Sequence, residues 1–157
     1  MGLAACGNNT KPQIPTYHNG KTVTQDSALL TMLRVNEQMS AEADRQVLNY
    51  ANGYSQWENG MWTRGYSNGK PMLREDESVM LGLRIFDLRD STLLEDIRET
   101  AQVGKYERME ALATLLPELH RGDSLSLLVP WYLAYGATGN EHVAPYSNIR
   151  IEIIVEK

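Results

Sequence analysis

From Met61 onward the apolar residues stop recurring at helical spacing and begin to alternate, and this change of period limits the fold more than any other feature. Met61-Trp62-Thr63-Arg64-Gly65-Tyr66, the turn Ser67-Asn68-Gly69 and the long run Val79-Met80-Leu81-Gly82-Leu83-Arg84-Ile85-Phe86 predict strands of a mostly antiparallel sheet. Thr92-Leu93-Leu94 predicts a further short strand, and Ser124 to Val129 and Ile149 to Val155 predict the last two. Among them, Arg108 to Leu116 returns to helical spacing through Met109, Leu112, Ala113 and Leu116, and ends where Pro117 lacks an N–H.

Ahead of the strands, Leu29, Leu30, Leu33, Met39, Ala43, Val47 and Tyr50 recur at helical spacing. Asp26 is placed to cap the start and Ser40 to begin a second helix, so the pattern fits one broken helix or two. Asn52-Gly53 and Asn59-Gly60 act as stops. One helix between strand runs, with a helical segment before them, predicts an α+β fold rather than a parallel α/β one.

With 157 residues, 42% of them hydrophobic and 22% charged, the chain has the size and composition of one compact domain with a flexible end. It buries enough surface to need no staple, and one Cys with three scattered His predicts neither a disulfide nor a metal site. A net charge of -5 argues against a surface built to hold nucleic-acid phosphates. No apolar run approaches the ~18 residues that span a bilayer.

A covalent anchor is the exception. Leu3-Ala4-Ala5-Cys6 matches the lipobox of bacterial lipoproteins, and Asn8, Asn9, Thr10, Lys11, Pro12, Gln13 and Pro15 follow as a polar tether. The charged and apolar regions of a signal peptide do not precede the Cys, which fits a chain whose leader was removed and whose Met1-Gly2 is an added start. Lipid on Cys6 would place the protein at the bacterial cell envelope, periplasmic or outer-membrane, touching membrane only through that anchor.

No phosphate-cradling glycine loop, Gly-x-Ser-x-Gly elbow or His-Glu-x-x-His occurs, so nucleotide, serine-hydrolase and zincin readings have no support. His18, His120 and His142 lie far apart and read as surface or satisfied histidines. Arg121-Gly122-Asp123 reads as turn chemistry rather than as an adhesive tripeptide, and Glu75-Asp76-Glu77 as a solvated loop. Met32, Met39, Trp57, Met61 and Trp62 are expected to pack on their own domain in preference to a partner.

The last third carries a denser pattern: Gly122-Asp123, Leu128-Val129-Pro130, Ala134-Tyr135-Gly136-Ala137-Thr138-Gly139, then Val143-Ala144-Pro145-Tyr146 and a final strand from Ile149. It resembles the C-terminal half of FKBP-type peptidyl-prolyl isomerases, and weaker likeness extends over roughly Met61 to Lys157. The leader ending in Asn49-Tyr50-Ala51 resembles that of the family's lipoprotein branch in Bacteroidetes, which includes gliding-motility-associated isomerases. The resemblance implies a tether over 1–20, a helical extension over 21–58 and an FKBP-like domain over 59–157. In that domain a bent antiparallel sheet would wrap around one short helix, with the substrate proline in an apolar pocket between them.

Carried over by position, the resemblance implies a catalytic set of Tyr135, Met109, Leu112, Leu94, Glu95 and Ile151. Tyr135 matches a tyrosine whose hydroxyl bonds a ligand carbonyl, and Met109 a residue whose backbone N–H holds substrate. Leu112 stands at the pocket floor where many members have Trp, Leu94-Glu95 in place of Phe-Asp, and Ile151 in place of Phe. Arg84 or Phe86 falls near a common Tyr, and His142 and Val143 lie in the flap; these four are the substrate-binding expectation. No cofactor or metal is implied, and the partners would be proline-containing proteins or peptides. The missing aromatics leave two readings, an isomerase or an FKBP-like binding module with weak or no turnover. An open cleft with the Tyr135 hydroxyl pointing in favours the enzyme, and a cleft filled by Arg84 or Leu94 favours the module.

Overall fold

The computed structural model describes residues 25–57, 59–67 and 71–156. Cys6, the lipobox and His18 lie outside these residues, as do Asn68 and Gly69 of the expected turn. The chain divides into two compact units between Gln38 and Met39. That boundary falls inside helix α1 (Gln25–Leu48), which runs through Ser40 as one helix. Asp26 is not its cap but sits in the first turn, where a carboxylate favours the helix dipole. In the first unit, Leu29, Leu30, Met32, Leu33 and Val35 are exposed.

The second unit is built on a six-stranded sheet in the order β1-β2-β5-β6-β3-β4, antiparallel at every pairing. Its strands are β1 (Ser55–Gln56), β2 (Trp62–Tyr66), β3 (Ser78–Asp87), β4 (Leu93–Gln102), β5 (Ser124–Val129) and β6 (Ile149–Val155). β1 therefore belongs to the sheet although it falls within the segment assigned to the helical extension. The short helix α2 (Glu110–Leu115) follows β4. The expected sheet around one short helix, preceded by a helical segment, is the architecture found.

Alternation decides which side chains face α2. Val79, Leu81, Leu83 and Ile85 of β3, Leu127 and Val129 of β5, and Ile149, Ile151, Ile153 and Val155 of β6 are all buried. They form one core with Ala111, Leu112, Leu115 and Leu116, the i, i+4 pairs of α2 and the turn after it. Each such Val, Leu or Ile side chain contributes roughly 1.5–3 kcal/mol by leaving water. Met61 is part of this core and Trp57 packs against it, as expected of both, whereas Met32, expected to pack in the same way, is exposed. On the opposite face, Leu128 joins Val47, Ala51 and Leu88 in a smaller cluster bordered by Tyr54 and Trp62. Tyr132 donates to Asp44 (2.6 Å) and Asn148 to Gln46 (3.0 Å), fixing the last turns of α1.

Two expectations need correction. The short strand at Thr92-Leu93-Leu94 is a ten-residue strand. Glu95 and Glu99 occupy inward positions of β4 and disguise its alternation. Glu77 is not simply solvated: it accepts the Arg74 N–H (2.8 Å) and pairs with Arg121, which together lower its pKa. Asp123 is buried and accepts the His120 N–H (2.8 Å), so Arg121-Gly122-Asp123 is indeed a turn tied into the fold.

Candidate functional site

The site begins at an irregularity between β3 and β4. Ile85 pairs with Glu95 but Phe86 pairs with Leu93, leaving Leu94 as the extra residue of a β-bulge. An extra residue lets two neighbours turn to one side. Leu94 packs on the α2-facing core, and Glu95 is 8% exposed beside it.

Two carboxylates directed inward at Glu95 and Glu99 need a counter-charge, because burial of unpaired charge is costly. Arg108, in the loop before α2, supplies it. Its Nε and Nη2 donate to the two Glu99 oxygens (both 2.7 Å), while Nη1 lies 3.5 Å from Glu95 Oε2. Tyr106 donates its hydroxyl to Glu99 as well (2.5 Å). Arg108 and Tyr106 hold the Glu99 carboxyl below the usual carboxylate range. The same pairing pushes the Arg108 guanidinium further up, and burial followed by Glu99 raises the Tyr106 phenol.

The facing wall comes from the segment between β5 and β6. Pro130 starts a 3-10 turn (Trp131–Leu133), and Gly136, at φ 70, donates its N–H back to the Trp131 carbonyl (3.0 Å). Tyr135 is thereby directed at the core, and its hydroxyl is buried with no hydrogen-bond partner among the described residues. Burial raises its pKa, with the neighbouring Arg108 acting in the opposite sense, so the phenol remains a neutral donor.

Asn140 organises the loop beyond. Its Oδ1 accepts the N–H groups of His142 (2.8 Å) and Val143 (2.7 Å), and its Nδ2 donates to Glu95 Oε1 (2.6 Å). Gly139, at φ 64, is required because a Cβ there would collide with the Val143 carbonyl. The loop is clasped to the bulge through Glu95.

Of the expected site residues, Tyr135, Met109, Leu112, Leu94, Ile151 and Val143 meet in one apolar cluster, with Glu95 at its rim. Arg84 and Phe86 do not join it. They point to the opposite face of β3, where Arg84 pairs with Glu152 (3.2 Å) and both Arg84 and Arg150 lie over the Phe86 ring. Their even register puts them out of phase with Ile85, which faces the cluster in their stead. His142 is exposed and enters the clasp only through its backbone. The charged groups that act on the Tyr135 hydroxyl are Arg108, Glu95 and Glu99 rather than Arg84, and Leu94 packs against the same core.

Arg108, Glu99, Tyr106, Asn140 and Ile85 are absent from the sequence-derived set. The signal for the first two was two acids four apart in a strand, hence on one face, with an arginine just before the next helix. A cavity of about 360 Å³ lies elsewhere, lined by Gln46, Tyr50, Arg89, Tyr146 and Asn148 among others, and none of the expected site residues borders it. Among the described residues no group of His, Cys, Asp and Glu is arranged to hold a metal ion. No described helix is long and apolar enough to cross a membrane.

No family model and no curated protein matches the chain. Solved structures do. The N-terminal domain of FKBP42 from Arabidopsis thaliana is 20% identical with a TM-score of 0.57, over 65% of this chain and 88% of that one. A peptidyl-prolyl cis-trans isomerase from Pseudomonas syringae is 17% identical with a TM-score of 0.62, over 77% and 93%. FkpA from Escherichia coli is 14% identical with a TM-score of 0.64, over 85% and 65%. The sheet and helix thus form an FKBP-like α+β fold.

Proposed function

We propose that the chain is a peptidyl-prolyl cis-trans isomerase acting on Xaa-Pro bonds of exported or envelope proteins. The single observation that carries this reading is the Tyr135 hydroxyl, buried without a hydrogen-bond partner on a ring packed against the core that holds Leu112, Met109, Leu94 and Ile151. A buried polar group without a partner costs about 1–3 kcal/mol, and a bound peptide carbonyl would satisfy it.

The chemistry needs little more. Rotation about the prolyl bond faces ~20 kcal/mol because the amide gives up its resonance. A site accelerates it by excluding water, seating the ring on an apolar floor and favouring the twisted amide over the planar one. In this reading Leu112, Met109 and Ile151 receive the proline, Tyr135 holds a peptide carbonyl, and the Asn140 loop parts from Glu95 to admit the chain. Lipid on Cys6 would keep the domain at the envelope, which a Cys6→Ser change and membrane fractionation would test.

A binding module with weak or no turnover is the second reading, favoured by the Glu95–Asn140 clasp and by Leu94, which packs against the core. A proline-limited refolding assay separates the two. Acceleration by the wild type, abolished by Leu94→Asp, places turnover in this cleft; a folded sample without acceleration leaves the module.

A further inference from the structure

We infer that Arg108 is a catalytic residue of this site, its Nη1 donating a hydrogen bond to the prolyl nitrogen as the amide twists. The inference rests on the isomerase reading and adds to it a residue with charge. The guanidinium carries five N–H donors. Glu99 engages Nε and Nη2 as a fork at 2.7 Å, which fixes the plane of the group. Nη1, with two hydrogens, lies 3.5 Å from Glu95 Oε2, well beyond the ~2.7–2.9 Å of a charge-assisted bond, and the guanidinium's other neighbour is the neutral Tyr135 hydroxyl, whose oxygen a bound peptide can replace as acceptor. Glu95 cannot readily close that gap, because Asn140 holds its other oxygen at 2.6 Å. Nη1 therefore keeps donor capacity beside the Tyr135 hydroxyl, itself a buried donor without an acceptor.

What such a donor does follows from the amide. In the planar state the nitrogen lone pair is spread into the carbonyl and accepts no hydrogen bond. At 90° of twist the lone pair is localised on nitrogen, which becomes an acceptor, while the carbonyl oxygen loses negative charge. A donor to the oxygen therefore steadies the ground state, whereas a donor to the nitrogen acts only at the transition state. Tyr135 suits the first role, that of positioning the peptide. Arg108 suits the second, since its charge survives at any physiological pH and Glu99 holds it in place.

The test is exchange NMR of an Ala-Pro tetrapeptide, which gives the exchange rate at saturation separately from peptide affinity, on the wild type, Arg108→Gln and Arg108→Lys. We expect the saturated rate to fall about tenfold or more in Arg108→Gln with affinity within about twofold. Arg108→Lys should fall between, since one ammonium cannot both fork Glu99 and reach the peptide. An unchanged rate, or a fall matched by lost affinity, overturns the inference and leaves the isomerase reading standing. No acceleration by the wild type overturns the isomerase reading itself. Should Arg108→Gln not fold, Arg108→Lys, which keeps the charge opposite Glu99, carries the same comparison.

Discussion

The two faces of the sheet carry nearly the same polar chemistry in different surroundings. On the outer face Arg84, Arg150 and Glu152 gather around Phe86, with the Arg84, Glu152 and Arg150 side chains 51%, 39% and 24% exposed. On the inner face Arg108, Glu99 and Glu95 gather beside Tyr106 and Tyr135, with side chains 27%, 24% and 6% exposed. Water screens the Arg84–Glu152 pair, so it contributes little, whereas Arg150 is as covered as the inner-face groups. The second set is held in one geometry by the low dielectric around it, the condition under which a donor can be aimed. An ion pair signals a site here through what surrounds it, since residue types alone do not distinguish the two clusters.

Substitutions break this comparison in order of size. Ile85→Ala, on the inner face at full burial, should cost about 3 kcal/mol of stability in urea unfolding, from lost burial and the cavity left behind. Glu99→Gln should cost about 2 kcal/mol at pH 7, since it strips Arg108 of its fork. The sign of its pH dependence follows from a folded pKa below the unfolded one. The stabilisation is complete above the unfolded value of ~4.3 and disappears as pH falls through the folded value, so wild-type and Glu99→Gln unfolding curves should converge in acid.

On the isomerase reading, Tyr135→Phe should weaken binding of a prolyl peptide about tenfold, equivalent to ~1.4 kcal/mol, with the exchange rate at saturation kept, and should leave thermal stability level or slightly higher, because the hydroxyl it removes is buried without an acceptor. Arg84→Ala should cost under ~1 kcal/mol, and less still in 1 M salt, which would leave the inner-face effects largely intact. A large Arg84 effect, or a salt-sensitive Glu99 effect, would show that the faces are not distinguished by burial.

The sequence made some of this readable and concealed the rest for physical reasons. β5 and β6 have the bounds expected of them, and Leu112 is buried in the core with Tyr135 packed against it, because buried apolar positions leave a period behind. β4 hides because its inward face carries Glu95 and Glu99, whose tolerance depends on an arginine outside the strand. Arg84 and Phe86 mislead by one residue of phase, and a one-residue slip in a strand exchanges its faces. Asn140 is unreadable in advance, because its role comes from a loop closing on a strand forty-five residues away.

The bulge at Leu94 adds a constraint on how this chain can change. It works as a counter of parity: residues before it and after it keep their own odd and even assignments only while the extra residue is present. Deleting Leu94 would heal the ladder, yet it would also take away the slack that turns two successive side chains, Leu94 and Glu95, toward the core. Insertions and deletions in the adjacent turn are thus coupled to which side chains of β4 meet the core, and drift in loop length here would exchange Leu94 and Glu95 for their neighbours.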